Sequence, residues 1–293
     1  MTQATAILGL HAQASIHAGA GQATGVVDLP IQREGHNDWP CVYGSGVKGA
    51  LRARGEAALP AEDQKDIFFT VFGPETTGSS EHAGALLVGD ARLLLLPVRS
   101  LTGHFRWVTC RSALQRYLDD RRRLGFADDV ELPADPKENV ALVAGEAKAL
   151  FLEEYRFQPE STDLDGLIGL LNPLFSADRT EELRSQLTLV SNDMFGHFAR
   201  SATPVAAHVR IDNSTKTVKG GALWYEETLP PETVLYSAIA AQPSRREGFE
   251  FSADEVLGIV RENLFGDSPW LQLGGNETTG MGWCHVKVLN TEA

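Results

Sequence analysis

The chain has 293 residues, 43% of them hydrophobic and 22% charged, with a formal net charge of −13 at pH 7. That composition suits a globular protein able to bury its own core, and it excludes a disordered or fibrous chain. The longest apolar run, Leu93 to Val98, contains Pro97 and falls far short of the ~18 residues of a membrane span.

No Lys or Arg precedes Arg33, and Gly9 and His11 interrupt the first apolar stretch. A secretory leader is therefore not read, and a soluble, cytoplasmic protein without a membrane partner is expected. Cys41, Cys110 and Cys284 form no CxxC pair, and no HExxH occurs. Buried or half-buried reduced thiols are expected instead of a disulfide framework or zinc site.

Thr5 to Ser15 alternates as a strand, with Ala6, Leu8, Leu10, Ala12 and Ala14 on one face. A glycine loop follows, His17 to Gly21. Ser45 is placed as the N-cap of a helix reaching about Leu59, with Val47, Ala50, Leu51, Arg54 and Ala58 on one side. Ala85 to Leu96 reads as two short strands around Gly89. Thr109 is expected to cap a second helix whose apolar stripe is Ala113, Leu114, Tyr117, Leu118 and Leu124. A strand is expected over Ala149 to Phe157, and helices over Asp178 to Leu187 and Asp193 to Arg200.

Val205 to Asp212 and Ala222 to Glu227 read as a long hairpin whose tip carries Lys216 and Lys219. Thr233 to Ala241 adds a strand, Ala253 to Phe265 an amphipathic helix, and Met281 to Leu289 a last strand. Before that strand lies a second glycine loop, Leu273 to Gly282. This order predicts one α+β domain over 1–293 with excursions.

Positive charge is segregated on an acidic body. Windows 41–55, 97–123 and 205–221 carry +3, +5 and +2, a pattern that suits a groove for an anionic strand. For 97–123 a chance collection of arginines on a helix surface is an equal reading. Gly44 to Arg52 is not a nucleotide P-loop, because Gly49 is followed by Ala50 and Leu51. It still places Lys48 in the first turn of a helix, where a cation opposes the dipole unless an anion such as phosphate is near. Asp28, between Val27 and Leu29 and just before Pro30, reads by itself as a turn carboxylate. His17 reads by itself as a structural hydrogen-bonder.

Together these segments carry more. His17-Ala-Gly-Ala-Gly21, Val27-Asp-Leu-Pro-Ile-Gln-Arg33, Tyr43-Gly-Ser-Gly-Val-Lys-Gly-Ala-Leu-Arg52, Pro97-Val-Arg-Ser-Leu101, Ile211-Asp-Asn-Ser-Thr-Lys-Thr217 and Gly274-Gly-Asn-Glu-Thr-Thr-Gly-Met-Gly282 occur in one order. With them the chain resembles the RAMP superfamily of CRISPR-associated proteins, and within it the repeated backbone subunits of type III-B (Cmr) effector complexes. It departs from the common pattern at Ala18 and Ala20, where bulkier or polar residues are usual.

The resemblance implies a ferredoxin-like, RRM-like core with a helical insertion at about 97–140 and a protruding β-hairpin thumb at about 205–227. It implies guide CRISPR RNA, complementary target RNA, further copies of the chain in a helical filament, and other effector subunits as partners. It also implies metal-dependent endoribonuclease activity (with Mg²⁺ or Mn²⁺, ligands unknown) in which a 2′-OH attacks the adjacent phosphate. Asp28 matches the essential carboxylate, either as base or, since an ordinary aspartate is a weak base at neutral pH, as metal holder. His17, Gly19, Ser45, Gly46, Lys48, Arg52, Arg210, Lys216, Lys219, Gly274, Gly275 and Asn276 match RNA-binding positions, with Glu226 and Glu227 as second candidates at the cut. Two alternatives stay open: a guide-binding subunit that does not cut, and a repeat-RNA-processing endonuclease using His17 or His208.

Overall fold

The computed structural model describes residues 3–59, 61, 64–74, 82–145 and 149–291. Strand β1 (Ala4–Ala12) keeps the predicted alternation, with Ala6, Leu8, Leu10 and Ala12 in one apolar cluster and Ile7 in another. It is thus buried on both faces. After it come β2 (Cys41–Val42), α1 (Gly44–Ala58) and α2 (Lys65–Phe72). Val47 and Leu51 of α1 are fully buried, each contributing about 1.5–3 kcal/mol. Gly55 lets α2 approach, since a Cβ there would lie 2.7 Å from the Phe72 ring.

Strand β3 (Leu86–Arg99) leads to β4 (Phe105–Cys110) and α3 (Arg111–Arg123). Next are β5 (Val140–Val143), β6 (Leu150–Leu152), β7 (Tyr155–Ser161), α4 (Asp165–Leu171), α5 (Thr180–Gln186), β8 (Leu187–Val190) and α6 (Asn192–Ser201). The chain continues through β9 (Val205–Ile211), β10 (Val218–Glu227), β11 (Val234–Ala241), α7 (Ala253–Gly258), β12 (Trp270–Gln272) and β13 (Trp283–Asn290).

The strands form one mixed sheet in the order β12-β13-β1-β11-β3-β4-β8-β5-β7-β6, with β2 also on β3. Only β4–β8 and β5–β7 run parallel among these pairs. One core holds α1, α2, α6 and α7 against the sheet; the other holds α3, α4 and α5. The segment 97–140 contains the end of β3, β4 and helix α3. Strands β9 and β10 form a separate two-stranded sheet. The expected hairpin is therefore present, standing apart from the main sheet.

Several local expectations are corrected. Ser45 lies inside α1 and makes no cap; Tyr43 is the N-cap residue, and the Asp90 carboxylate accepts the Gly44 N–H at 2.6 Å. Thr109 does not cap α3 either, since Cys110 occupies that place. Leu86 to Leu96 belongs to one long strand, because the chain crosses Gly89 with a register shift opposite Ser237 and Ile239. Ala149 to Phe157 is a tight hairpin, β6 to β7, turning at Glu153 with φ 50°. Beyond Gly258 the last helix widens into a π turn through Leu264.

The thiols behave as expected: Cys41, Cys110 and Cys284 are buried and free, and burial pushes each up to about 12. Among the described residues no helix is long and apolar enough to cross a membrane.

Candidate nucleic-acid interface

The glycine loops meet because their strands are neighbours. β1 runs antiparallel to β13 with Ala12 opposite Cys284, and His11 lies opposite Val234 at the start of β11. The segments after β1, before β13 and after the hairpin therefore leave the sheet at one end. There the Gly275 N–H donates to the His17 carbonyl at 2.8 Å, Gly282 to Ser15 at 2.8 Å, and Ile16 to Leu229 at 2.9 Å. Gly274 has φ 84°, and a Cβ on it would sit 2.3 Å from the His17 oxygen. Only glycine allows that approach.

The root of the hairpin is pinned by two adjacent carboxylates. Glu227 is buried and fully used: it accepts from Arg33 Nη2 at 2.5 Å, Thr203 Oγ1 at 2.6 Å and the Ile31 N–H at 3.1 Å. It is thus a fastening and not a free group at a cut. Glu226, also buried, accepts from Asn276 Nδ2 at 2.5 Å, tying the second glycine loop to β10.

His17 is buried beside them, its Nδ1 donating to the Glu227 carbonyl at 2.8 Å. The Glu226 carboxylate lies 4.0 Å from the same nitrogen. Its place is between the loops and the hairpin root, the structural hydrogen bond read from the residue by itself.

Asp28 is half-buried at the mouth of this arrangement. One carboxylate oxygen, Oδ2, accepts the Tyr225 N–H at 2.8 Å, and the Leu29 N–H donates to the Tyr225 carbonyl at 3.0 Å. The acid is thereby registered on β10. It borders an open pocket whose other walls include Gln22, Leu29, Arg210 and Trp224. Arg210, Trp224 and Asp28 thus meet although they are far apart in sequence.

Gln32 bridges the first glycine loop and α1: its Nε2 donates to the Gly19 carbonyl at 3.0 Å while its Oε1 accepts the Tyr43 N–H at 2.7 Å. Neither Gln32 nor Arg33 was singled out from sequence, although both lie in the Asp-Leu-Pro-Ile-Gln-Arg string. Trp224 was missed as well; its position opposite His208 in the hairpin register was the available signal.

The cations divide into two groups. In window 97–123 the arginines are spent within the protein: Arg99 on Glu153, Arg116 on Glu34, Arg121 on Asp128, Arg122 on Asp119 and Arg123 on Asp120. Arg111 donates to the Leu132 and Pro133 carbonyls, and Arg106 to Thr188 Oγ1. Arg106, Arg111, Arg116 and Arg121 are thereby turned into the protein and leave the expected groove, while Arg99, Arg122 and Arg123 stay on the surface in exposed pairs.

Arg52 is likewise turned inward, donating to the Gly73 carbonyl at 2.9 Å and lying over Phe68. By contrast Lys48, Arg210, Lys216 and Lys219 make no ion pair among the described residues. Lys48 sits beside the exposed Ser45 and Gly46 at the start of α1. Burial, and then the nearby Arg52, pull its ammonium below the usual lysine range. An anion nearby would favour the charged form against both effects.

The model of the RAMP superfamily matches residues 10–285. The chain belongs to that superfamily. This RAMP chain is 32% identical to the CRISPR system Cmr endoribonuclease Cmr4 of Pyrococcus furiosus, over 96% of its own length and 95% of the relative's. It is 23% identical to the CMR subunit Cmr4 of Saccharolobus solfataricus, with 99% of each covered. In fold it is similar to oligomeric Cmr4 from Pyrococcus furiosus, with TM-score 0.74, 24% identity and 99% of each chain covered. A chain of a type III-B Cmr-beta complex bound to cognate target RNA aligns with TM-score 0.75 and 21% identity, over 97% of this chain and 96% of that one.

Proposed function

We propose that this RAMP chain is the repeated backbone subunit of a type III-B CRISPR ribonucleoprotein, holding guide RNA and cutting complementary target RNA at regular intervals. The Cmr4 endoribonuclease relative spans nearly the whole chain. The observation that carries the reading is the Asp28 carboxylate, fixed to the root of the hairpin by the Tyr225 N–H and open to a pocket that it shares with Arg210.

The order β13-β1-β11-β3, with α1 between β1 and β3 and α7 between β11 and β13, supports the ferredoxin-like core. The separate hairpin supports the thumb. Further copies of the chain and other effector subunits are the protein partners in this reading, with the cytoplasm as its location. Sequence is read by guide pairing while the protein holds backbone and shape.

A thumb entering the guide–target duplex displaces nucleotides and frees the local backbone from helical geometry. The 2′-oxygen then attacks the adjacent phosphorus and the bond to the 5′-oxygen breaks. The products are a 2′,3′-cyclic phosphate and a 5′-OH. Asp28 positions the 2′-OH and receives its proton.

Among the described residues no three His, Cys, Asp or Glu side chains converge on a metal site. Asp28 offers one carboxylate oxygen besides that bonded to Tyr225. In this reading that oxygen serves the 2′-OH, so Mg²⁺ or Mn²⁺ would be held chiefly by the RNA phosphates and its own waters. There the ion would offset charge building on the phosphate. The processing-endonuclease reading needs His17 or His208 exposed to RNA, and it is disfavoured because His17 is buried between the loops and the hairpin root while His208 has its Nε2 buried and its ring stacked on Trp224.

Lys48 gives the binding half of the reading its test. Lys48→Ala is expected to weaken guide RNA binding and to lower the salt slope by about one unit, the signature of one lost phosphate contact. Titrations of guide RNA at several salt concentrations measure it. An unchanged slope contradicts the contact.

A further inference from the structure

The two faces of the hairpin differ in chemistry. Register pairs Val209 with Leu223, Ala207 with Tyr225 and His208 with Trp224. Alternation then puts Val209, Ile211, Leu223 and Tyr225 on one face, and His208, Arg210 and Trp224 on the other. Arg210 and Trp224 of this second face border the pocket of Asp28, at whose edge Leu223 also lies.

On it the Trp224 and His208 rings are stacked, with centroids 5.5 Å apart and planes at 16°. His208 Nε2 is buried without a hydrogen-bond partner, so the imidazole serves there as packing behind the indole. Arg210 is exposed and borders the same pocket as Asp28, yet the two make no ion pair among the described residues. A carboxylate and a guanidinium facing one open pocket without neutralising each other leave room for a group between them.

We propose that this face is the second half of the cleavage site. Arg210 holds the scissile phosphate across from Asp28, and Trp224, backed by His208, is the shelf on which the displaced base beside that phosphate stacks. A nucleotide is the ligand that satisfies all three walls: its hydroxyl faces the carboxylate, its phosphate the guanidinium, and its base the indole. Base–aromatic stacking tolerates any sequence, as a guide-programmed enzyme requires. Arg210 neutralises charge that grows on the phosphate oxygens as the 2′-oxygen adds and the 5′-oxygen departs. The 2′ proton goes to Asp28 and the departing oxygen takes one from water, so the step balances without an oxidant or reductant.

The inference rests on the cutting role proposed for Asp28, and its test separates the two. Guide-loaded complexes carrying Trp224→Ala, Trp224→Phe, Arg210→Gln or Asp28→Ala are compared with the unmodified complex in single-turnover cleavage. The targets are intact or carry one abasic nucleotide, moved stepwise across a cut.

Trp224→Ala should slow cleavage about 10- to 100-fold, and Trp224→Phe much less. One abasic position should slow the unmodified complex to the same degree and slow the Trp224→Ala complex no further. That non-additivity at one nucleotide is a result that mere loss of hairpin structure cannot give. Arg210→Gln should lower the cleavage rate far more than target affinity.

If Asp28→Ala still cuts, the underlying reading falls. If Asp28→Ala is inert while Trp224→Ala and Arg210→Gln cut normally, or the abasic and Trp224→Ala effects multiply at every position, the shelf and clamp alone are overturned. Should Trp224→Ala fail to assemble, the same cycle run with Trp224→Phe, and the abasic scan of the unmodified complex, decide it. An unmodified complex indifferent to every abasic position then counts against the shelf.

Discussion

Replacing Asp28 with alanine is expected to slow target-RNA cleavage by about 10²- to 10⁴-fold, the range for loss of a positioned proton-transfer group. Guide and target binding should be retained. The carboxylate sits at the edge of an open pocket, and among the described residues its one side-chain bond is to the Tyr225 N–H at 2.8 Å. Water can satisfy that N–H when the side chain is removed, so the fold loses little.

Asp28→Asn sharpens the result, because the amide oxygen can still accept from Tyr225 while the negative charge is gone. Both variants should be equally slow in single-turnover assays on guide-loaded complexes, with unchanged target affinity. An Asp28→Asn complex cutting at the normal rate would show that the charge is not used.

The second large effect concerns stability. Arg33→Ala is expected to destabilise the protein by about 3–5 kcal/mol, the cost of leaving a buried carboxylate without its partner. Arg33 and Glu227 side chains are 16% and 7% exposed, and the guanidinium also donates to the Asp38 and Ala199 carbonyls at 2.8 Å. With about 2–4 °C lost per kcal/mol in a large domain, the melting temperature should fall by about 10 °C.

Glu227→Gln should cost less, because an amide can still accept from Arg33 or Thr203 and leaves no buried carboxylate unpaired. Thermal unfolding of the three proteins measures both. A melting temperature for Arg33→Ala within 2 °C of the parent would mean that the pair contributes nothing to the hairpin root.

Local pattern was legible where a single element decides it. The alternation of β1, the apolar stripe of α3 and the presence of the hairpin each depend on residues close in sequence, although its second strand begins at Val218 and not at Ala222, so that Lys219 lies in the strand and not at the tip. Thr109 misled because a cap is a matter of backbone geometry, and Cys110, with φ −141°, occupies it. Gly89 misled because Ser237 Oγ donates to its carbonyl at 2.8 Å, which helps carry β3 past the glycine.

The arginines of 97–123 misled for a further reason. Part of their counter-charge comes from distant segments, as Glu34 does for Arg116, and part from the same helix, as Asp119 does for Arg122. Placement of Asp28 and His17 was beyond local reading altogether. It depends on β1, β11 and β13 being neighbours and on β10 reaching back to Leu29. The resemblance named the residues there; the geometry shows how they differ, Asp28 open and Glu227 enclosed.

The most direct measurement uses a guide-loaded complex, the free chain, and targets with a single 2′-deoxy nucleotide at one expected cut. The account predicts that the free chain leaves every target intact. The complex should cut an all-ribose target into fragments ending in 2′,3′-cyclic phosphate and 5′-OH, while the deoxy target loses the cut at that linkage and no other. Cleavage at the 2′-deoxy linkage, or products ending in 3′-OH and 5′-phosphate, would contradict it.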